Sequence, residues 1–117
     1  MIVMNDKRVD KLKYLLIFDM QTNHKIYRLF SYKHKIRYDL AESILETLEK
    51  LWIESPSSVI ENLQNSLAQT CRVYEERLIE SGILFDQNFP NHPESRYESI
   101  KETLFTLRYW LGVICSL

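Results

Sequence analysis

The stretch Leu40-Ala41-Glu42-Ser43-Ile44-Leu45-Glu46-Thr47-Leu48-Glu49-Lys50-Leu51-Trp52 decides the fold. Leu40, Ala41, Ile44, Leu45, Leu48, Leu51 and Trp52 recur at the helical period, and Glu42, Glu46, Glu49 and Lys50 fill the positions between them. Such spacing gives a rod with one apolar side, which needs a partner surface to cover it. Ser55-Pro56-Ser57-Ser58 follows. Proline lacks an amide proton and disfavours a helical residue before it, so the rod ends there.

The next segment repeats the pattern. Ser57 or Ser58 is placed to cap a helix that carries Val59, Ile60, Leu63, Leu67, Cys71, Tyr74, Leu78 and Ile79. Gly82 is placed to end it, because glycine tolerates the left-handed conformation common just past a helix end. Residues 83–92, with Asp86, Asn88, Pro90 and Asn91, then read as a loop. Pro93 suits the first turn of a last helix carrying Tyr97, Ile100, Leu104, Leu107, Trp110, Leu111 and Ile114.

Towards the amino terminus the reading divides. Asn5 or Asp6 can cap a helix running from about Asp6 to Phe30. Leu12, Leu15, Leu16, Met20, Ile26, Tyr27 and Phe30 lie on one stripe, with polar Asn23 where an apolar residue is wanted and Ile17 and Phe18 off the stripe. The alternative is a β-hairpin followed by three helices, with Tyr14 to Phe18 and Ile26 to Tyr32 as strands. The aromatic and β-branched residues of both runs favour it. The absence of Gly or Pro at the turn favours the helix. Four amphipathic helices with short connections make an all-α, up-down-up-down four-helix bundle, one domain over residues 1–117.

Composition agrees with this class. The chain has 117 residues, with only 2 glycines and 3 prolines, too few turn formers for an all-β fold. Its length buries a core without metal or disulfide staples. Two cysteines, Cys71 and Cys115, stand far apart, and both read as buried apolar residues of a reducing, cytoplasmic compartment. No signal peptide is visible, and the apolar run Tyr14 to Phe18 is too short to span a bilayer.

The net charge of −1 hides a division. Residues 1–38 hold nine basic and three acidic side chains, whereas the remainder holds six and thirteen. Either the basic third meets an anionic partner, or the two parts attract each other within one fold or between subunits. The strongest binding candidate is Lys33-His34-Lys35-Ile36-Arg37-Tyr38, where clustered positive charge beside an aromatic ring can meet phosphates and stack a base. Lys11, Lys25 and Arg28 extend this basic surface. A solvated turn with a buried Tyr38 is the competing reading. On the last helix, Tyr97, Phe105, Tyr109, Trp110, Val113, Ile114, Cys115 and Leu117 cannot all face one narrow stripe. The surplus, with Phe105, Tyr109, Trp110 and Val113 at its centre, reads as an oligomer interface. Burial against the long first segment is the alternative.

Patterns for bond-breaking chemistry are sparse. His24, His34 and His92 have no Cys, Asp or Glu at zinc-ligand spacing, two scattered glycines cannot form a phosphate loop, and no serine lies in a nucleophile elbow. Neither a metal nor a cofactor is expected. Arg28 and His34 are six residues apart, a spacing used by small helical HEPN ribonucleases, in which histidine moves a proton and arginine holds the phosphate. Leu29 stands where that class has a polar residue.

Three stretches resemble a family of small bacterial four-helix bundles that includes the accessory variability determinant (Avd) of diversity-generating retroelements and proteins encoded by intervening sequences of 23S rRNA genes. They are Lys33-His34 with Arg37-Tyr38-x-Leu40; Leu63, Ala68 and Arg72 with Gly82-Ile83-Leu84; and Tyr97-Glu98-x-Ile100-x-x-x-Leu104 with Leu111-Gly112. The likeness spans roughly residues 30–114, with Tyr32, Glu76 and the pair Val113-Ile114 departing from the family pattern. It implies a non-catalytic accessory protein, assembled as a homopentamer, that binds a reverse transcriptase and template RNA. Lys33, Lys35 and Arg37 would then belong to the partner surface. The alternatives are a ribonuclease or toxin–antitoxin component using Arg28 and His34, or a bundle acting only as chaperone or antitoxin for one protein.

Overall fold

The computed structural model describes residues 6–27, 32–88 and 94–117, and the side chains of 6–24, 33–81 and 97–117. It is an all-α four-helix bundle: α1 (Lys7–Tyr27), α2 (Tyr32–Glu54), α3 (Val59–Asn88) and α4 (Glu94–Cys115). A short 3-10 turn, Pro56–Ser58, joins α2 to α3. No strand occurs among the described residues, so the hairpin alternative for the first segment falls.

Asp6 caps α1 by accepting a hydrogen bond at Oδ1 from the Arg8 amide at 2.9 Å. The Arg8 side chain beside it holds the Asp6 carboxyl below its usual pKa. Ser55, which precedes the 3-10 turn between α2 and α3, makes no side-chain capping hydrogen bond. The Ser58 amide instead donates to the Ser55 carbonyl at 3.1 Å, which closes the turn after the helix that Pro56 interrupts.

Two boundaries differ from the expectation. The basic stretch 33–38 is the first turns of α2 and not a turn leading into it. It contains no helix breaker, and Ile36, Arg37 and Tyr38 are half-buried, so packing extends the rod to Tyr32. Helix α3 runs through Gly82 to Asn88, so residues 83–88 are helical. Mid-helix glycine costs only about 1 kcal/mol relative to alanine. Without a second breaker the helix continues to within two residues of Pro90.

The core joins all four helices. Val9, Leu12 and Leu16 of α1 meet Ala41, Ile44 and Leu48 of α2; Val59, Ile60, Leu63, Leu67 and Cys71 of α3; and Leu104, Leu107, Trp110 and Ile114 of α4. Side chains at i, i+3, i+4 and i+7 lie on one face, which is why these sets recur at that spacing. Val9 was not on the expected stripe, and Ile79 was but is 65% exposed. Cys71 is buried, and burial pushes its thiol pKa up. Cys115 is exposed, contrary to expectation, because it follows the last inward residue, Ile114.

Packing is uneven. Helices α1 and α2 form one tight hairpin, α3 and α4 another, and α2 lies against both members of the second. Among the described residues α1 makes no comparable seam with α4. A trough therefore runs between these two helices.

Candidate functional site

Two surfaces were legible as candidates, the basic stretch of α2 and the apolar surplus of α4. The structure brings part of each together along the edge of α4.

The basic side chains of α2 are met by carboxylates. Arg37 donates from Nε to Oε1 of Glu102 on α4 at 3.0 Å, and Lys33 Nζ lies 3.8 Å from the other oxygen of the same carboxylate. Glu102 is largely buried, its side chain 16% exposed, so this bridge is more shielded from solvent than an ordinary surface pair. Lys35 pairs with Asp39 one turn on, at 2.9 Å. Arg8 reaches Glu61 at 3.7 Å, and Arg108 reaches Glu75 at 3.1 Å. Arg8, Lys33, Lys35 and Arg37 of the basic third thus meet acidic side chains of the remainder within one fold, as the second of the two charge readings expects, whereas Arg108 and Glu75 pair within the remainder.

His34 points into the bundle. Its Nδ1 lies 3.0 Å from Asn23 Oδ1, and Asn23 Nδ2 donates to the Asp19 carbonyl at 2.8 Å and to Asp19 Oδ2 at 3.0 Å. Asn23 is only 5% exposed. The polar residue that interrupted the stripe of α1 is therefore the buried junction of a partly buried network. Burial raises the Asp19 carboxyl above its usual pKa, while the Arg37 charge and the Asn23 bond draw it back. Tyr38, one turn on from His34 along α2, faces α1 as well, its ring 5.6 Å from that of His24. Lys11 lies at the far end of the α1–α4 trough with Leu15, Tyr109, Gly112, Val113, Ser116 and Leu117. The side chains of Lys25 and Arg28 fall outside the described residues, and with them the Arg28–His34 pair.

The α4 surplus divides. Phe105 and Tyr109 are 66% and 57% exposed, but Trp110 is 1% exposed. Trp110 is thus core and not the surface residue of the expected interface, because it continues the inward stripe of Leu107 and Ile114. Val113 is half-buried against the core. Tyr14 and Phe18 of α1 add an aromatic pair that the sequence reading did not select, stacked at 6.4 Å and 68% and 58% exposed. They sit three residues on from Lys11 and Leu15, one step round the helix from the trough. The signal was the off-stripe placement of Phe18 and its i, i+4 relation to Tyr14.

Three hollows follow α4 in sequence. A groove of about 570 Å³ is lined by Lys33, Ile36, Arg37, Glu98, Lys101, Glu102 and Phe105. A cleft of about 250 Å³ is lined by Asp19, Arg37, Phe105, Thr106, Tyr109 and Trp110. The trough past Tyr109, about 470 Å³, completes the run. In the cleft wall, Thr106 Oγ1 and Trp110 Nε1 are buried and have no hydrogen-bond partner.

Among the described residues no His, Cys, Asp and Glu group could hold a metal ion, and no helix is long and apolar enough to cross a membrane. Comparison with protein-family models, curated proteins and solved structures gave no match.

Proposed function

We propose that this chain is a non-catalytic accessory module that works by docking protein along the α1–α4 face, beginning with copies of itself. The observation that carries the reading is the exposure of Tyr14, Phe18, Phe105 and Tyr109 beside one unclosed trough. Contiguous exposed aromatic surface beside a groove is what partner sites present, and aromatic residues are enriched there. The homopentamer and the reverse-transcriptase partner implied by the resemblance to the Avd family, and the cytoplasmic setting expected from the cysteines and the lack of a visible signal peptide, belong to the same proposal. RNA is the weaker of the two ligands, because Glu102 already takes up the charge of Lys33 and Arg37.

Light scattering at micromolar concentration tests this. The native chain is expected to run as an oligomer and a Phe105→Ser, Tyr109→Ser variant as a folded monomer. A monomeric native chain contradicts the proposal. Titration with single-stranded RNA at low and raised salt separates the RNA reading, since phosphate-driven binding weakens steeply as salt rises.

A further inference from the structure

The outer sides of α1 and α2 carry stripes of the same spacing and opposite charge. On α1, Lys7, Lys11, Tyr14 and Phe18 recur at i, i+4, i+7 and i+11, and all four are exposed. On α2, Glu42, Glu46, Glu49 and Ile53 recur at the same steps, and all four are exposed too. Residues so spaced lie along one side of a helix. Each stripe runs about 16 Å along its axis. Each also ends in large apolar groups held in solvent: Tyr14 and Phe18 are 68% and 58% exposed, and Ile53 is 80% exposed.

The charges of these stripes are the ones the fold leaves unmet. Among the described residues, neither lysine and none of the three glutamates joins an ion pair. Charges of the other sign are few beside them: Asp10 next to the lysines, and Lys50 next to Glu46 and Glu49. Lys35, one turn before the acidic stripe, already pairs with Asp39. Within one molecule the two stripes cannot meet. Leu12 and Leu16 of α1 and Ala41, Ile44 and Leu48 of α2 face the shared core, which turns both stripes outwards. Resting on the proposed docking role of the α1–α4 face, whose α1 side this stripe forms, we infer that its occupant is the acidic outer stripe of α2 on a second copy of this chain. The ammonium groups of Lys7 and Lys11 meet the glutamates, and Tyr14 and Phe18 pack on Ile53 and the glutamate stems. The two copies use different surfaces, so the contact is head-to-tail. Each added copy leaves one stripe of each kind open until a ring closes.

Sedimentation velocity of the full-length chain and two charge-reversed variants tests the pairing. One variant carries Lys7→Glu and Lys11→Glu, the other Glu46→Lys and Glu49→Lys. All four positions are exposed, so both variants are expected to keep the native circular-dichroism spectrum and unfolding curve. Each variant alone is expected to self-associate about tenfold or more weakly than the native chain, because like charges then oppose each other across the contact. An equimolar mixture is expected to recover assembly, since the reversed α1 of one variant fits the reversed α2 of the other and their untouched stripes fit as before. Native assembly is expected to weaken as salt rises. A variant that assembles as tightly as the native chain, or a folded mixture that stays dissociated, overturns the inference and leaves the docking reading standing. A native chain that is monomeric at micromolar concentration overturns both.

Discussion

The basic end of α2 and the aromatic edge of α4 lie side by side, share Arg37 and Phe105, and have opposite fates in the fold. At the first, each cation meets a carboxylate of the same chain: Lys33 and Arg37 find Glu102, and Lys35 finds Asp39. At the second, Phe105 and Tyr109 find no cover. Opposite charges separated in sequence are free to meet once the chain folds, so a charge division says little about external partners. An aromatic ring pointing away from the core has no equivalent way of being satisfied internally. The uncovered rings are therefore the more informative surface.

The sharpest contrast lies on α4 itself. Leu107→Ala, 2% exposed in the native chain, is expected to lower unfolding stability by about 2–5 kcal/mol. Phe105→Ala, two residues earlier and exposed, is expected to change it by about 0.5 kcal/mol or less and to act on assembly instead. Chemical denaturation followed by circular dichroism compares them, and equal losses would break the distinction between inner and outer faces.

At the basic end, Glu102→Gln removes the negative charge shared by Lys33 and Arg37 and leaves one of its two acceptor oxygens. A loss of about 1–2 kcal/mol is expected, shrinking as salt screens the partly exposed cations. A double-mutant cycle with Arg37→Met isolates the pair. No coupling would mean that these cations are available to an outside anion after all.

Gly112 sharpens the comparison at the other end of α4. A Cβ added there meets nothing within 4 Å. Gly112→Ala is expected to stabilise the monomer by about 0.5–1 kcal/mol through helix propensity. If the same variant weakens self-association, a partner backbone approaches α4 at this position.

The smallest effect is electrostatic. Burial raises the Asp19 pKa in the fold, so the folded state holds the proton more tightly than the unfolded chain. Stability then falls as pH rises from the ordinary carboxylate value through the raised one, and the cost persists at neutral pH. Asp19→Asn is expected to raise the melting temperature at pH 7, with the gain fading in acid as the native carboxyl protonates.

Much of the fold was legible. The inward sets Ala41, Ile44 and Leu48, or Val59, Ile60, Leu63 and Leu67, follow from helical period alone, and all are buried. The legible part of the site was smaller. Phe105 and Tyr109 could be named because they fall off the stripe of α4, but Trp110 falls near the boundary between faces. Which side claims such a residue depends on how the helix is rotated against its neighbours. Asn23 stood out as a polar interruption, yet nothing in the sequence near it names His34 as its partner.

The sequence by itself determined three rods and left the first segment between a rod and a hairpin, because apolar spacing and the scarcity of proline and glycine act within a few residues of each other along the backbone. Tertiary structure decided where α2 begins, that α3 passes Gly82, which charges cancel and which aromatic rings stay in solvent. Those outcomes depend on the rotation and closure of helices against one another, and here the closure is incomplete between α1 and α4. Residues as distant as Asp19, Arg37 and Trp110 share a cleft only because three separately specified helices meet there.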